Sequence, residues 1–292
     1  MSKCGFVAIL GAPNVGKSTL VNQLVGQKVS IVSPKVQTTR SRIMGIAMKN
    51  DAQIILLDTP GIFDAKKRLD KAMVQEAHDA SAEADLHVLV IDLTHPNLRL
   101  AKQLCEKHKK GIIVVLNKID LIAKTQLLET TTSINDFPNI TKIFMVSALN
   151  SDGIDDLAKY LASLIPSAPW LFPEDQLSNI PARSWAAEVT REKVFLQLHQ
   201  EVPYNIFVES ESWEEFDNGS VKINQAIVVS KDNHKGIVLG KRGQTLKNIG
   251  QAARLELEEQ LERRVHLKLF VKVEENWQEK AWATRAFGIG VV

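Results

Sequence analysis

Short apolar runs alternate with stretches of helical periodicity through the first half of the chain. The runs predict strands, and the stretches between them repeat apolar residues at the spacing of one helix face. Alternation of this kind is typical of a mostly parallel sheet with helices on both faces, whose ligands lie at the carboxyl ends of the strands. The runs are FVAIL, AQIILLD, LHVLVID, GIIVVLN and KIFMVSA, and the helical stretches include KSTLVNQLVG and LDKAMVQEAHDASAEA.

The pattern changes after the proline-rich segment IPSAPWLFPEDQLSNIP, which has no periodicity and predicts a linker. Beyond it we expect a helix, a hairpin around the DNG turn at 217–219, a short helix, a glycine turn, a long helix and a strand. The sequence therefore predicts an α/β domain at 1–165, a linker at 166–181 and an α+β domain with a C-terminal tail at 182–292.

Composition narrows the class of protein. The chain opens on a strand-like run rather than a signal peptide, and the apolar run at 111–116 is far too short to span a bilayer. Its two cysteines, Cys4 and Cys105, make no disulfide framework, so we expect a reduced, cytoplasmic protein. The formal net charge of +2 is nearly neutral, so any basic surface must be local.

The segment GAPNVGKS at 11–18 matches the full G-x-x-x-x-G-K-[ST] template between a strand and a helix. Backbone N–H groups of such a loop cradle phosphates, Lys17 reaches the β- and γ-phosphates, and Ser18 binds Mg²⁺. A plain glycine turn is the alternative, which the complete match disfavours. The predicted nucleotide-binding residues here are Gly11, Ala12, Pro13, Asn14, Val15, Gly16, Lys17, Ser18 and Thr19.

Two later motifs select guanine. In NKID, Asp120 can accept hydrogen bonds from the guanine N1–H and 2-amino group, which adenine lacks. Lys118 would lie along the base plane, and Asn117 would tie this loop to the phosphate loop. In SAL, which begins at Ser147, the N–H of Ala148 can reach guanine O6. Each motif is weak alone, but their order and spacing make the set specific.

The motif DTPG, made of Asp58, Thr59, Pro60 and Gly61, follows the run AQIILL. Asp58 would hold Mg²⁺ through water, and the N–H of Gly61 would contact the γ-phosphate.

The polar segment SPKVQTTRSR at 33–42 is predicted to be a loop that supplies a threonine to Mg²⁺. We assign Thr39, next to Arg40, rather than Thr38. A loop ordered by the γ-phosphate and released after hydrolysis acts as a switch. The predicted Mg²⁺ ligands are Ser18, Thr39 and Asp58, and the predicted catalytic groups are Lys17, Thr39 and Gly61.

Ile62 occupies the position where Ras-like GTPases carry the glutamine that orients the attacking water. An apolar side chain cannot do this, so hydrolysis needs another group or is slow. The carbonyl oxygen of Asn14 could help to bind a monovalent cation beside the phosphates. Two alternatives stay open: Asn14 only forms a local Asx-type bond, or a partner supplies an arginine.

The segment GIVLGKRGQTLKNIG at 236–250 contains a second glycine–lysine pair, but it fails the phosphate-loop template in spacing and lacks the Ser or Thr. GKRG instead fits the G-x-x-G loop of a KH module, which clamps a nucleic-acid backbone. A simple glycine turn between two helices is the alternative. The predicted RNA-binding residues are Gly240, Lys241, Arg242 and Gly243, with Lys235 and Lys247 beside them.

Together, GAPNVGKS, QTTR, DTPG, NKID and SAL resemble the motifs of translation-factor-related GTPases, and the whole chain resembles the Era family. The linker motif FPED, EVPY at 201–204 and the GKRG segment extend the resemblance over nearly the full length. The resemblance implies a P-loop GTPase domain followed by a type II KH domain. It also implies Mg²⁺, with K⁺ as a further candidate cofactor.

As partners, the resemblance implies GTP and GDP, and the 3′ region of small-subunit rRNA in the small ribosomal subunit, whose assembly the protein would assist. We expect a monomer in the cytoplasm with loose peripheral contact with the inner membrane. One alternative is a membrane-associated signalling GTPase whose KH-like module binds protein. Another is a GTPase of tRNA modification, which would need a further catalytic domain or partner.

Near the C-terminus, Trp277 and Trp282 lie beside Lys280 and Arg285. Buried packing is the expected role of such an apolar stripe. An amphipathic helix that touches RNA or a membrane is the alternative.

Overall fold

The computed structural model describes residues 2–36, 38–63, 68–198, 202–280 and 282–283. In these ranges the chain forms a six-stranded sheet in its first part and a three-stranded sheet in its second part. None of the helices in the described ranges has the length and apolar character needed to cross a bilayer.

The six-stranded sheet has the order β2-β3-β1-β4-β5-β6. β3, β1, β4, β5 and β6 are parallel to one another, and β2 pairs antiparallel with β3 at one edge. The apolar runs predicted the parallel strands, whereas β2 was not predicted. The strands are Lys3–Leu10 (β1), Ile43–Lys49 (β2), Ala52–Asp58 (β3), Leu86–Asp92 (β4), Ile112–Asn117 (β5) and Ile140–Val146 (β6).

Helices cover the sheet on two sides, as the alternating pattern predicts. One apolar core lies between the sheet and the helices α1 and α5, and a second joins the sheet to α3 and α4. Because both faces are covered, β3 is buried along its whole length. The helices are Lys17–Val25 (α1), Arg68–Glu83 (α2), Leu98–Lys107 (α3), Lys124–Asn135 (α4) and Ile154–Leu164 (α5).

The segment between the two domains lies against the first domain. Ser167 forms a β-bridge with Lys3, and Ser178 forms one with Gly45. The side chain of Gln53 accepts from the Phe172 N–H (3.1 Å) and donates to its carbonyl (2.8 Å). The predicted linker is thus an ordered segment that hydrogen-bonds to strands of the first sheet.

The second domain follows the predicted order of elements. Its sheet has the order β7-β8-β9, in which β7 and β8 form the antiparallel hairpin and β9 runs parallel to β8. The elements are Ala182–Gln197 (α6), Ile206–Glu215 (β7), Val221–Val229 (β8), Asp232–Leu239 (α7), Gln244–Leu261 (α8) and Val265–Val273 (β9).

The two domains share apolar clusters. Leu69 and Met73 of α2 are buried with Phe207 of β7 and with Trp277. Trp277 is 0% exposed and stacks on Trp282 at a centroid distance of 6.3 Å. Trp277 therefore packs in the domain interface, and the prediction from the sequence that it is buried is confirmed. The amphipathic-helix alternative includes Arg285, which lies outside the described residues.

Candidate functional site

The predicted phosphate loop joins β1 to α1, at the carboxyl edge of the sheet. Gly16 has a φ of 95°, and a Cβ there would lie 2.2 Å from Nδ2 of Asn117. Gly61 approaches the same loop, because a Cβ on it would lie 2.6 Å from the backbone N of Pro13. Both glycines are needed because the two loops and the Asn117 side chain meet here without room for a side chain.

Lys17 begins α1 and is buried in this loop. Its Nζ donates to the carbonyls of Gly11 (3.3 Å) and Ala12 (2.8 Å). Burial lowers the pKa of Lys17 to about 8, and the negative charge of Asp58 partly opposes this shift. Lys17 therefore stays cationic at neutral pH and has only part of its charge balanced, which favours an anionic ligand in the loop.

Hydroxyl and carboxylate oxygens converge beside Lys17. Ser18 Oγ donates to Asp58 Oδ2 (2.7 Å) and lies 2.8 Å from Thr39 Oγ1, which is itself 3.4 Å from Asp58 Oδ2. Thr38 instead bonds to Ser33 Oγ (2.6 Å) and to the Lys35 carbonyl (2.7 Å). The structure thus places Thr39, as assigned from the sequence, and not Thr38, beside the other two predicted Mg²⁺ ligands.

This cluster fits a magnesium ion. Mg²⁺ prefers hard oxygen ligands, and two hydroxyls and a carboxylate supply them. Within the described part of the chain, Asp58 Oδ1 is buried without a hydrogen-bond partner. Burial raises the pKa of Asp58, and the hydroxyl bonds and Lys17 oppose the rise. A cation here would offset the cost of burying this carboxylate.

The predicted guanine motifs are joined to the phosphate loop by hydrogen bonds. Asn117 Nδ2 donates to the Val15 carbonyl (2.8 Å), which is the tie expected from the sequence. The Ala148 N–H donates to Asn117 Oδ1 (3.0 Å), and this bond joins the SAL motif to the NKID motif. A contact between the Ala148 N–H and guanine O6 stays a prediction. Lys118 Nζ donates to the Asn14 carbonyl (3.1 Å).

A cavity of about 450 Å³ connects the predicted groups. Its lining includes the phosphate loop, the loop at 33–39, Gly61 and both guanine motifs, which is the extent of one nucleotide. The predicted residues that line it are Pro13, Asn14, Gly16, Lys17, Ser18, Thr19, Thr39, Gly61, Asn117, Lys118, Asp120 and Ala148.

Two predicted nucleotide-binding residues, Thr59 and Ser147, hydrogen-bond to nearby backbone groups. Thr59 Oγ1 donates to the Ile9 carbonyl (2.7 Å) and is fully buried. Ser147 Oγ accepts from the Asn150 N–H (3.2 Å). These bonds fix the ends of the DTPG and SAL motifs, so the two side chains act on loop shape.

Two polar residues that hydrogen-bond to predicted site residues were not predicted. Ser30 is fully buried and donates to Asp58 Oδ2 (2.6 Å), and no local pattern marks it. Asp92 forms a salt bridge with Lys118. Partial burial would raise the pKa of Asp92, but the bonds from Lys118 and from the Thr94 side chain and N–H outweigh it and lower that pKa. Asp92 ends β4 at the carboxyl edge of the sheet, and that position could have indicated it.

Ile62 lies against the core. Its N–H donates to the Gly11 carbonyl (3.0 Å), and its side chain packs on the cluster that includes Leu89 and Leu116. The side chain is apolar and partly buried, so the glutamine function has no replacement at this position.

The GKRG segment forms a tight turn between α7 and α8. Gly240 and Gly243 have φ angles of 70° and 77°, and Arg242 is also left-handed, with a φ of 53°. Lys241 and Arg242 are exposed, and the N-terminus of α8 follows directly. The turn therefore presents two cations in front of a helix N-terminus, a combination that attracts phosphate groups.

The residues beside this turn differ in exposure. Lys247 is exposed and Lys235 is half-buried, so both contribute to the same basic end. The apolar residues on the two sides of the turn also differ, because Val238 and Ile249 are fully buried in the domain core. Ile237 remains 45% exposed and is available to a base.

Comparison with known proteins agrees with both sites. Residues 6–118 match the model of a family described as 50S ribosome-binding GTPase, and residues 201–278 match the KH domain model. Over 291 residues the chain is 51% identical to GTPase Era of Brucella suis biovar 1 (strain 1330), covering 99% of this chain and 94% of that protein. The chain belongs to the GTPase Era family. It is accordingly an enzyme that hydrolyses GTP, and its second domain is a KH domain.

Other members of the family extend the comparison. GTPase Era of Mesorhizobium japonicum is 50% identical over 288 residues, covering 98% of this chain and 93% of that protein. A crystal structure of Era with MgGDPNP and nucleotides 1506–1542 of 16S ribosomal RNA superposes with a TM-score of 0.93 at 40% identity and covers 100% of both chains. A substituted Aquifex aeolicus Era bound to GDP·AlF₄⁻ has a TM-score of 0.93 at 41% identity, covering 99% of this chain and 100% of that one.

Proposed function

We propose that this GTPase binds the 3′ region of small-subunit rRNA through its KH domain and assists assembly of the small ribosomal subunit. The carrying observation is the exposed Lys241–Arg242 pair, which the left-handed GKRG turn presents at the start of α8. The Era structure that superposes on this chain contains nucleotides 1506–1542 of 16S ribosomal RNA. Single-stranded RNA suits this surface because a G-x-x-G turn clamps a short stretch of backbone.

Magnesium is the proposed cofactor of the GTPase site. Ser18, Thr39 and Asp58 would hold it, because their oxygens already lie within 3.4 Å of one another. When bound, Mg²⁺ neutralises charge on the β- and γ-phosphates. Lys17 would bind the same phosphates, and Asp120 would read the guanine edge.

The RNA proposal is tested with a synthetic RNA that carries the 3′ end of the small-subunit rRNA. A second RNA of equal length and base composition, in scrambled order, is the control. Filter binding of the whole chain should give a clearly higher affinity for the authentic order. Equal affinities for the two RNAs would contradict rRNA recognition.

A second part of the proposal concerns potassium. Asn14 Nδ2 donates to the Pro34 carbonyl (2.8 Å), so the Asn14 side chain bridges the phosphate loop and the loop at 33–42. Asn14 also lines the nucleotide cavity, and Ile62 contributes no polar group. We propose that Asn14 helps to hold K⁺ beside the phosphates. An arginine from a partner would serve the same need and is an outcome of the test.

GTP hydrolysis is then expected to run several-fold faster in KCl than in NaCl of equal concentration. Asn14→Gly should remove the difference, because it deletes the side-chain oxygen while accepting the left-handed φ of 61° at this position. Phosphate release in the two salts is the measurement. Equal rates for the unaltered protein, or a potassium effect that survives in Asn14→Gly, would rule out this role.

Location and assembly state complete the proposal. We propose a monomer in the cytoplasm with peripheral contact with the inner membrane. These stay predictions from the family resemblance, and fractionation of cells together with the solution mass of the purified chain would test them.

A further inference from the structure

The loop at 33–42, which carries Thr39, contacts the KH domain at Lys35, Thr38 and Arg40. Lys35 Nζ donates to the carbonyls of Phe195 and Leu198 at the end of α6. Arg40 is 2% exposed and donates to the carbonyls of Ile206 (2.5 Å) and Tyr204 (3.0 Å). Residues on both sides of Thr39 are therefore held by the second domain.

Arg191 of α6 makes the contact nearest to the metal ligand. Its Nη2 donates to the Thr38 carbonyl (2.6 Å), which belongs to the peptide bond that leads into Thr39. Glu188, one turn earlier on α6, accepts from Arg191 Nε (2.9 Å) and from Nη2. Arg191 is 1% exposed and lies over the ring of Phe195 at 5.2 Å, so its guanidinium is held on several sides.

We propose that Arg191 is a positioning residue for GTP hydrolysis: through the Thr38 carbonyl, the KH domain sets Thr39 beside Ser18 and Asp58. Arg191 touches neither nucleotide nor metal, so it acts only through the loop. Because binding free energies are reciprocal, a loop closed by Mg²⁺ and GTP would also favour the docked position of α6. The inference concerns the GTPase site and does not depend on which RNA is bound.

The interface has features of a contact that can open. Arg40 and Arg191 are both buried. Burial and then the charge of Arg191 lower the pKa of Arg40 to about 9, and the charges of Glu188 and Asp70 oppose this shift. In the described part of the chain, Arg191 Nη1 is buried without a partner. The unpaired donor, and the part of the repulsion between the two arginines that Glu188 does not offset, cost free energy in the docked state. A change in the loop that removes the Thr38 contact would then favour release of α6.

Arg191→Met is the main test, because it removes the donor and keeps much of the side-chain volume. The Mg²⁺ concentration that half-saturates binding of a non-hydrolysable GTP analogue should rise roughly 10-fold. Amide hydrogens of residues in the loop at 33–40 should exchange faster in the whole protein. GDP affinity without Mg²⁺ should not change, since that complex does not use Thr39.

Lys28→Met is the matched control. Lys28 forms salt bridges with Glu192 and Glu256 of the KH domain, each at 2.6 Å, but has no contact with the Thr38 carbonyl. This variant loses an interdomain contact and should keep normal Mg²⁺ dependence and normal loop exchange. Arg191→Lys keeps one donor, so its rise in the Mg²⁺ requirement should be smaller than that of Arg191→Met.

If Arg191→Met does not fold, Glu188→Gln weakens the orientation of Arg191 and should shift both readouts in the same direction by a smaller factor. Unchanged Mg²⁺ dependence and loop exchange in a folded variant of either residue would overturn the proposal. A loss of GDP affinity equal to the loss of analogue affinity would also overturn it, because it would show a general structural role.

Discussion

Replacing Lys241 and Arg242 together by Asp is expected to lower RNA affinity roughly 100-fold or more, since each hydrogen bond to a charged phosphate contributes about 1.5–3 kcal/mol. GTP hydrolysis without RNA should be unchanged. Both side chains are exposed, and aspartate tolerates the left-handed φ of 53° at position 242, so the KH fold should persist. Filter binding at several salt concentrations and phosphate release are the paired measurements.

The salt series adds a second readout. Two lost cations should reduce the slope of log affinity against log salt by about 1.4 for single-stranded RNA. Lys109 and Lys110 are exposed residues of the first domain, and replacing both by Asp gives a control with the same change in net charge. RNA affinity that stays intact in the 241–242 variant would contradict the assignment of RNA binding to the GKRG turn. Lost GTP binding with retained RNA binding would make GKRG a nucleotide site instead.

Lys17→Ala should weaken GTP binding roughly 100- to 1000-fold and abolish measurable hydrolysis at ordinary GTP concentrations. Lys17 is the buried cation of the phosphate loop, and its only described donor contacts are loop carbonyls within 3.3 Å. A fluorescent GTP analogue titrated into the variant measures the loss.

Lys49→Ala, which removes a surface salt bridge to Asp155 in the same domain, should bind normally. Thermal unfolding of both variants checks that the domain remains folded. If Lys17→Ala binds GTP as tightly as the unaltered protein, the assigned contact with the β- and γ-phosphates is wrong.

The parallel strands could be predicted because buried strands of a covered sheet are continuous apolar runs. β2 was not predicted, because its sequence IMGIAMK mixes glycine and alanine with larger residues and has no clear period of two. A signal was nevertheless present: Asn50 and Asp51 join it to β3 as a two-residue turn, with Asn50 left-handed at a φ of 53°.

The nucleotide site could be predicted because each of its motifs is local in sequence. The phosphate loop needs eight adjacent residues, and the choice of Thr39 over Thr38 followed from its place before Arg40. The contacts between the loop at 33–42 and the KH domain had no such local signal. Arg191 and Thr38 are separated by 153 positions, and an arginine within a helix carries no mark of the carbonyl it will meet.

The predicted linker shows the same limit. Prolines and the lack of periodicity indicated correctly that this segment is not a helix. They did not indicate that the Gln53 side chain would accept hydrogen bonds from the backbone N–H groups of Leu171 and Phe172. Such docking depends on a buried glutamine whose partners lie more than a hundred positions away.

The most direct test of the central claim is crosslinking of the chain to RNA in cells, followed by sequencing of the bound fragments. The experiment is run for the unaltered protein and for the variant in which Lys241 and Arg242 are both replaced by Asp. The account predicts that fragments from the 3′ end of small-subunit rRNA dominate for the unaltered protein and are lost for the variant. Fragments spread over transfer RNAs, or an unchanged profile for the variant, would contradict it.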